Sequence, residues 1–260
     1  MWVKLMTSIL VDNKVIFRNV EAVLFDKDGT LIDIHHYWSE IIRIRALLVA
    51  STYFKKDELN RVKASLIKIM GFNKDTKKLS INGPIGVKPR PYIVNIVAEF
   101  VRKSGHPISN SEVEVLFQAV DVETSKNMLK ILKVLPGVEE LLKKLNKAGV
   151  FSIITSVDIT DRASMAMKTL NLDHFFTKII GGDLVTNSKP YPDLANLALK
   201  NLNCKTNNVV VIGDHPVDIK MGENIKAGLN IAVLTGISDI NMFKNLNCTV
   251  INDLSCIEVF

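Results

Sequence analysis

Beyond Pro136-Gly137 the chain takes strand and helix in turn, and that alternation narrows the possible folds more than any other feature. An amphipathic pattern (Val138, Leu141, Leu142, Leu145) precedes the apolar run Val150 to Ile154, and a helix through Met165 to Leu170 precedes Phe175 to Ile180. A helix from about Tyr191 to Leu202 then leads to Val209-Val210-Val211-Ile212, and one ending near Ala227-Gly228 leads to Ile231-Ala232-Val233-Leu234. Such repetition predicts a doubly wound parallel sheet, an α/β fold. Val23-Leu24-Phe25 belongs to the same sheet, a short apolar run that stops abruptly at Asp26-Lys27-Asp28-Gly29-Thr30. Cys248 to Phe260 is expected to add a last short strand and helix. Upstream, Ile9 to Phe17 with Asp12-Asn13 between apolar stretches reads as a hairpin against the sheet edge, and MWVKLMTSILV as an early strand.

Between these parts the texture changes. From about His36 to Leu132 the apolar residues recur at helical spacing, as in Ile41, Ile44, Leu47 and Leu48, or Val113, Leu116, Phe117 and Val120. No buried strand is evident there. A loop or hinge interrupts the helices at Asn82-Gly83-Pro84-Ile85-Gly86-Val87-Lys88-Pro89-Arg90-Pro91. The expected organisation is a core of residues 1–34 and 133–260 with an all-helical insert at 35–132.

With 260 residues, 47% of them hydrophobic, the chain can bury an ordinary core, which excludes disorder. The formal charge of +6 comes mostly from lysines scattered over helix surfaces, with no basic tract, so nucleic acid is not an expected partner. The three cysteines form no CxxC pair and cannot all be bridged within the chain, which points to a reducing compartment. The N-terminal apolar run is too short for a secretory segment, and no run is long enough to cross a bilayer, so a cytoplasmic protein without membrane contact is expected. The oligomeric state is left open.

In open α/β sheets ligands sit beyond the carboxyl ends of the strands, so the residues following each apolar run are the candidates for chemistry. They are Asp26 to Thr30, Thr155-Ser156, Ser188-Lys189-Pro190 and Gly213-Asp214-His215-Pro216-Val217-Asp218. A carboxylate can attack phosphorus when a cation neutralises the approaching phosphate, and a second carboxyl group can protonate the leaving oxygen and later activate water. Asp26 fits the first role and Asp28 the second, with Gly29 permitting the turn between strand and loop. Mg²⁺ takes hard oxygen ligands, a requirement that Asp26, a backbone carbonyl near Asp28, and Asp214 can meet, with Asp218 completing or orienting the shell. The Thr155 hydroxyl, amides around Ser156 and the Lys189 ammonium are suitable donors to phosphoryl oxygens. Each feature also has a plainer reading: a turn at Asp-Gly-Thr, a helix cap at Thr155-Ser156, a solvated loop at Lys189, macrodipole complements at Asp214 and Asp218. Their conjunction, in order and each at a strand end, favours the chemical one.

The segments DKDGTLID, IITS, SKPYPD and GDHPVD resemble, in that order, the four motifs of the haloacid dehalogenase superfamily. Pro136-Gly137-Val138 with the following LLKKL is similar to the approach to the second motif in its phosphoglycolate phosphatase-like branch, where a helical cap follows the first motif. The resemblance implies that Asp26 is a phosphorylated nucleophile, Asp28 the acid/base, Thr155 and Lys189 the phosphate and charge partners, and Asp214 a magnesium ligand. Dehalogenases lack a carboxylate at the position of Asp28, so phosphoryl transfer is implied rather than carbon–halogen cleavage. The expected activity is a Mg²⁺-dependent phosphatase acting on a small phosphorylated metabolite, phosphoglycolate or a sugar phosphate. A phosphomutase uses the same core, and a non-catalytic phosphate-binding or phosphorylation-sensing module is the alternative of another class. Gly29, Thr155, Ser156 and Lys189 make the expected substrate-binding set. Lys88 and Arg90 in the insert can join it as cations for a carboxylate or sugar hydroxyls, or can be exposed loop charges. Two departures from the commonest pattern are Lys27 between the aspartates and His215 after Asp214. His215 is expected to cap the following helix rather than reach a metal.

Overall fold

The computed structural model describes residues 7–11 and 14–260. The chain opens with β1 (Ser8–Val11), β2 (Lys14–Arg18) and β3 (Ala22–Phe25). Next come α1 (Ile34–Tyr53), α2 (Leu59–Ile69), β4 (Phe72–Asn73), β5 (Lys78–Leu79), α3 (Arg90–Lys103), α4 (Asn110–Lys126) and α5 (Met128–Ile131). Strand and helix then alternate through α6 (Val138–Lys147), β6 (Phe151–Thr155), α7 (Thr160–Thr169), β7 (Phe176–Ile180), α8 (Asp193–Leu199), β8 (Val209–Gly213), α9 (Pro216–Asn224) and β9 (Leu229–Val233). Two short strands, β10 (Thr249–Ile251) and β11 (Ile257–Val259), close it. Two compact units result, one of residues up to Asp33 together with Val134–Phe260, the other Ile34–Lys133.

In the first unit a six-stranded sheet runs in the order β10-β9-β8-β3-β6-β7, with every pair parallel. β3 and β8 are buried at every residue, and β6 at all but its first, which explains why they read as continuous apolar runs. Successive side chains go to opposite faces, so Ala22 and Leu24 of β3 pack with Ile153, Val209 and Val211 under Leu194, Ala195 and Ala198 of α8 and Met221 of α9. Truncating Leu24 there to Ala removes about 2–5 kcal/mol of stability. α6 presents Val138, Leu141, Leu142 and Leu145 as its buried stripe, with Glu139 and Glu140 in its first turn and Lys144 and Lys147 in its last, each matching the helix dipole.

Two features of this sheet position the site. The chain runs from β3 outward to β6 and β7, then crosses to β8, β9 and β10 on the other side, so the order reverses around β3. That reversal opens a crevice beyond the carboxyl ends of β3 and its neighbours. In register, Phe25 lies opposite Ile154 on one side and Ile212 on the other, which brings Asp26, Thr155 and Gly213 to one level. Just past them the chain leaves for the insert and returns beside itself: Ile32 bridges Val134 antiparallel, and the Leu135 amide donates to the Leu31 carbonyl at 3.1 Å.

In the second unit α1 buries Tyr37, Trp38, Ile41, Ile42, Ala46, Val49 and Ala50. α4 starts with a capping box in which Ser109 Oγ accepts from the Glu112 amide at 3.2 Å and Glu112 accepts from the Ser109 amide at 2.8 Å. The insert is not wholly helical: β4 and β5 form a hairpin with two residues per strand, too short for period-two alternation to show in the sequence. His35 Nδ1 accepts the Leu79 amide of that hairpin at 3.1 Å, while His36 Nε2 lies 3.4 Å from the Lys130 carbonyl. Adjacent histidines on one helix thus go separate ways.

Two expectations at the chain's ends need correction. β1 and β2 pair antiparallel, but β1 pairs next with β11 in a separate three-stranded sheet instead of extending the main one. The Asp12-Asn13 turn and the first six residues of the expected early strand lie outside the described residues. The tail has a three-residue 3-10 turn, Leu254–Cys256, where a helix was expected, followed by β11. Asp253 caps that turn by accepting the Ser255 amide at 2.8 Å, and the extended residues that follow are taken up by β1.

Candidate active site

Asp26 follows β3 directly, its amide still on the sheet ladder to the Ile212 carbonyl at 2.8 Å. From this tip Lys189 Nζ reaches Asp26 Oδ1 at 2.6 Å and Asp218 Oδ1 at 2.6 Å. Lys189 is buried, at the start of the segment leading into α8, and its peptide bond to Pro190 is cis. Burial alone lowers an ammonium's pKa, but Asp218 and Asp26 outweigh it and raise that of Lys189. Lys189 is therefore held as a cation between two carboxylates.

Asp214 enters from the end of β8, where Gly213 closes the strand. Its carboxylate, with those of Asp26 and Asp218, offers ligand oxygens all within 4.8 Å of one another, and all three residues are buried. Asp214 Oδ2 accepts the Ile237 amide at 2.9 Å, from the loop after β9. Gly29 and Gly236 leave the space this carboxylate occupies: a Cβ on Gly29 would stand 2.6 Å from Asp214 Oδ2, and one on Gly236 would stand 1.8 Å from it. Gly29 also sits at φ +87°, which disfavours any other residue. Thr235 Oγ1 donates to the Gly29 carbonyl at 2.6 Å and ties the two loops together.

Burial, then the neighbouring charges of Asp26 and Asp218, pushes the Asp214 carboxyl well above the ordinary carboxylate range. Asp26 is also raised, chiefly by burial, with Lys189 pulling the other way. His215 caps α9, its Nδ1 accepting the Val217 amide at 3.3 Å, while Asp218 Oδ2 accepts the His215 amide at 3.0 Å. Asp218 is thus shared between the helix start and Lys189, as a side chain that orients its neighbours would be.

Asp28 has a different cation. Lys27, with no exposed surface, places Nζ 2.8 Å from Asp28 Oδ1 and 3.2 Å from Asp158 Oδ2. Asp158 accepts the Ile159 amide at 2.9 Å and is ion-paired with Arg162 Nε at 3.4 Å. Burial raises the Asp28 carboxyl, with Lys27 opposing it; at Asp158 burial is outweighed by Lys27 and Arg162, and the carboxyl is lowered. Lys27 entered the sequence reading only as a departure from pattern, and Asp158 and Arg162 did not enter it. Their spacing of four at a helix start was the available signal.

Two of the expected phosphate donors are engaged within the protein. The Ser156 amide donates to the Ile180 carbonyl at 2.9 Å, and the Asp158 amide to Ser156 Oγ at 3.1 Å, because the chain at this point still follows the sheet edge toward β7. Thr155, fully buried, turns its hydroxyl toward the Phe25 carbonyl at 3.4 Å. Lys88 and Arg90 lie in the second unit. There Arg90 pairs with Glu114 at 2.8 Å and with Asp121, which Arg45 also holds at 3.1 Å, and Lys88 Nζ sits 5.8 Å from the Tyr92 ring centre. Arg90 is therefore a half-buried ion-pair member, not an exposed loop cation.

The donor set suits a divalent cation. Asp26, Asp28, Asp158, Asp214 and Asp218 bring five carboxylates against the three charges of Lys27, Lys189 and Arg162, so the fully ionised site carries two surplus negative charges. Asp26, Asp214 and Asp218 are the group of three among the described residues whose oxygens converge for such an ion.

A parallel sheet with carboxylates at its central strand ends defines the class, and the chain belongs to the haloacid dehalogenase-like hydrolase family, which it matches over residues 20–226. It is 26% identical over 207 residues to pyrophosphatase PpaX of Bacillus velezensis, covering 80% of each chain. A shorter match, 33% over 105 residues, is to pyrophosphatase PpaX of Halalkalibacterium halodurans; it takes in 40% of this chain and 48%, about half, of that relative. Among solved structures, a β-phosphoglucomutase from Clostridium difficile superimposes with a TM-score of 0.65 at 20% identity, covering 91% of this chain and 92% of that one. A predicted phosphoglycolate phosphatase from Haemophilus somnus 129pt gives 0.66 at 17% identity, covering 91% and 95%. These structural likenesses establish the fold. Among the described residues no helix is long and apolar enough to cross a membrane.

Proposed function

We propose that the chain is a Mg²⁺-dependent phosphatase that hydrolyses a small phosphomonoester through an aspartyl-phosphate at Asp26. The observation that carries this reading is the separation of the two strand-tip carboxylates: Asp26 sits on Lys189 among Asp214 and Asp218, while Asp28 sits on Lys27. A nucleophile and a proton carrier need such different surroundings.

An Asp26 oxygen attacks phosphorus while the bond from phosphorus to the ester oxygen breaks, and Asp28 delivers its proton to the departing alkoxide. Water then attacks the phosphorus of the aspartyl-phosphate, giving its proton to Asp28. Inorganic phosphate leaves and the Asp26 carboxylate is restored. Lys189 holds Asp26 in place and neutralises charge beside it. Asp26, Asp214 and a backbone carbonyl near Asp28 would hold the magnesium ion, with Asp218 orienting the set. When bound, the ion supplies positive charge to the phosphoryl oxygens. Gly29 contributes backbone next to the phosphoryl group, and Thr155 and Ser156 line the β6 end of the same crevice.

Phosphoglycolate and sugar phosphates are the leading substrates, and pyrophosphate joins the test panel because the curated relatives bear that name. The test is released phosphate across that panel for the wild type and for Asp26→Asn. The substitution keeps the shape of the side chain and is expected to abolish turnover in a folded protein; full turnover by the variant would remove covalent catalysis at Asp26. EDTA is expected to silence the wild type and excess Mg²⁺ to restore it.

A further inference from the structure

Lys27 has no surface exposed to water, and such burial carries a large desolvation penalty. A well-packed apolar side chain of similar volume at such a position is often neutral or stabilising, so stability alone does not call for an ammonium here. What the ammonium does is join two carboxylates that differ in how they are held. Asp158 is fixed from its own side by the Ile159 amide at 2.9 Å and by Arg162 at 3.4 Å. The Lys27 backbone is fixed as well, its carbonyl accepting the Leu31 amide at 2.9 Å and the Ile32 amide at 3.1 Å. With its main chain and its far partner both anchored, the Nζ group has little freedom, and it meets Asp28 Oδ1 at 2.8 Å.

We propose that Lys27 is a positioning residue, anchored on Asp158, that fixes the carboxyl group of Asp28 in the orientation from which it serves the leaving oxygen. The inference rests on the phosphatase reading above, since it concerns how Asp28 is presented in that reaction. Lys189 and Lys27 then divide the site, one aligning the attacking carboxylate and the other the proton carrier.

Proton delivery matters only when the leaving group needs it. An alkoxide is a poor leaving group and depends on Asp28, whereas a nitrophenolate departs unaided, so a displaced Asp28 slows the transfer to Asp26 selectively for alkyl esters, while the later attack of water, which also uses Asp28, is common to both. The experiment compares kcat/KM, which ends at departure of the leaving group and so leaves out the hydrolysis of the aspartyl-phosphate, for p-nitrophenyl phosphate and for the best alkyl phosphate of the panel, in the wild type and in Lys27→Met, Lys27→Met/Asp158→Asn and Lys27→Arg. The double variant removes the buried carboxylate that the single one leaves without its lysine. Taking the ratio of the two substrates within one preparation cancels any difference in the folded fraction. In kcat/KM, Lys27→Met is expected to lose about 100-fold on the alkyl ester and less than about threefold on the aryl ester. The double variant is expected to do the same and Lys27→Arg to recover most of the alkyl rate. Equal losses on both esters, or an unchanged alkyl rate, overturn the positioning role and leave the phosphatase reading standing. A wild type that turns over no phosphate ester, or an Asp26→Asn variant as active as the wild type, removes the parent reading and this one with it.

Discussion

Replacing Asp214 by Asn is expected to stabilise the metal-free protein while removing its response to Mg²⁺. In the wild type the Asp26, Asp214 and Asp218 oxygens lie within 4.8 Å of one another, and at that distance, with an effective dielectric of about 20, two like charges repel by about 3 kcal/mol. Asp214 faces two such neighbours, and Lys189 offsets part of that repulsion. On balance, removing the Asp214 charge is expected to recover on the order of 2 kcal/mol of that repulsion. Asn keeps the bond from the Ile237 amide through its own carbonyl oxygen. For a chain of this size 2 kcal/mol corresponds to a rise in Tm of about 4–8 °C. The sign with pH follows from the raised Asp214 carboxyl. A carboxyl with a raised folded pKa retains a proton that the unfolded chain has released, so the associated stability is present in full below the ordinary carboxylate range and is lost as pH rises through the folded value. The gain from Asp214→Asn is therefore largest in neutral to mildly alkaline buffer. Thermal unfolding followed by circular dichroism, in EDTA and in excess Mg²⁺, reads both halves. The ion is expected to raise Tm in the wild type and not in the variant. A variant less stable than the wild type in EDTA, or equal Mg²⁺ shifts in the two proteins, would refute the argument that crowded carboxylates await a cation.

Lys189→Met leaves Asp26 and Asp218 without their shared cation, and a destabilisation of about 3–5 kcal/mol is expected in metal-free urea titrations, with catalysis lost; a loss under 1 kcal/mol would contradict the pairing. His215→Ala is expected to cost about 1 kcal/mol of stability as a lost helix cap, with the Mg²⁺ concentration for half-maximal activity unchanged. A large shift in that concentration would instead make His215 part of the metal shell. Gly29→Ala is expected to destabilise by more than about 1 kcal/mol and to weaken Mg²⁺ activation, because the left-handed backbone is strained and the new methyl meets the Asp214 carboxylate. A variant with wild-type melting and Mg²⁺ response would show that the loop can move away.

The main sheet was legible because its strands are buried on both faces and their polar ends are abrupt: Val23 to Phe25 and Val209 to Ile212 each stop at a residue of the site. The pairing of Lys189 with two carboxylates was legible in part, through the charge-partner role that the resemblance implies for it. Other features arise from tertiary closeness that no local pattern carries. The β4–β5 hairpin is too short to show a period, and the departure of β11 to β1 depends on a partner more than two hundred residues away. Asp158 reads in sequence as one more polar residue before a helix, and only the fold brings Lys27 to it. The engaged Ser156 amide reflects the chain still paired to β7 where the sequence suggests a donor for a phosphate.

The backbone contacts at Ile32–Val134 and Leu31–Leu135 fasten the departure and return of the insert together at its root. To the sheet, the roughly one hundred residues in between amount to a loop whose ends are already joined. The entropy of closing such a loop grows only with the logarithm of its length, so doubling it would cost about 0.6 kcal/mol. Evolution or an engineer can therefore exchange what is carried there, while the register that aligns Asp26 with its neighbours stays as it is.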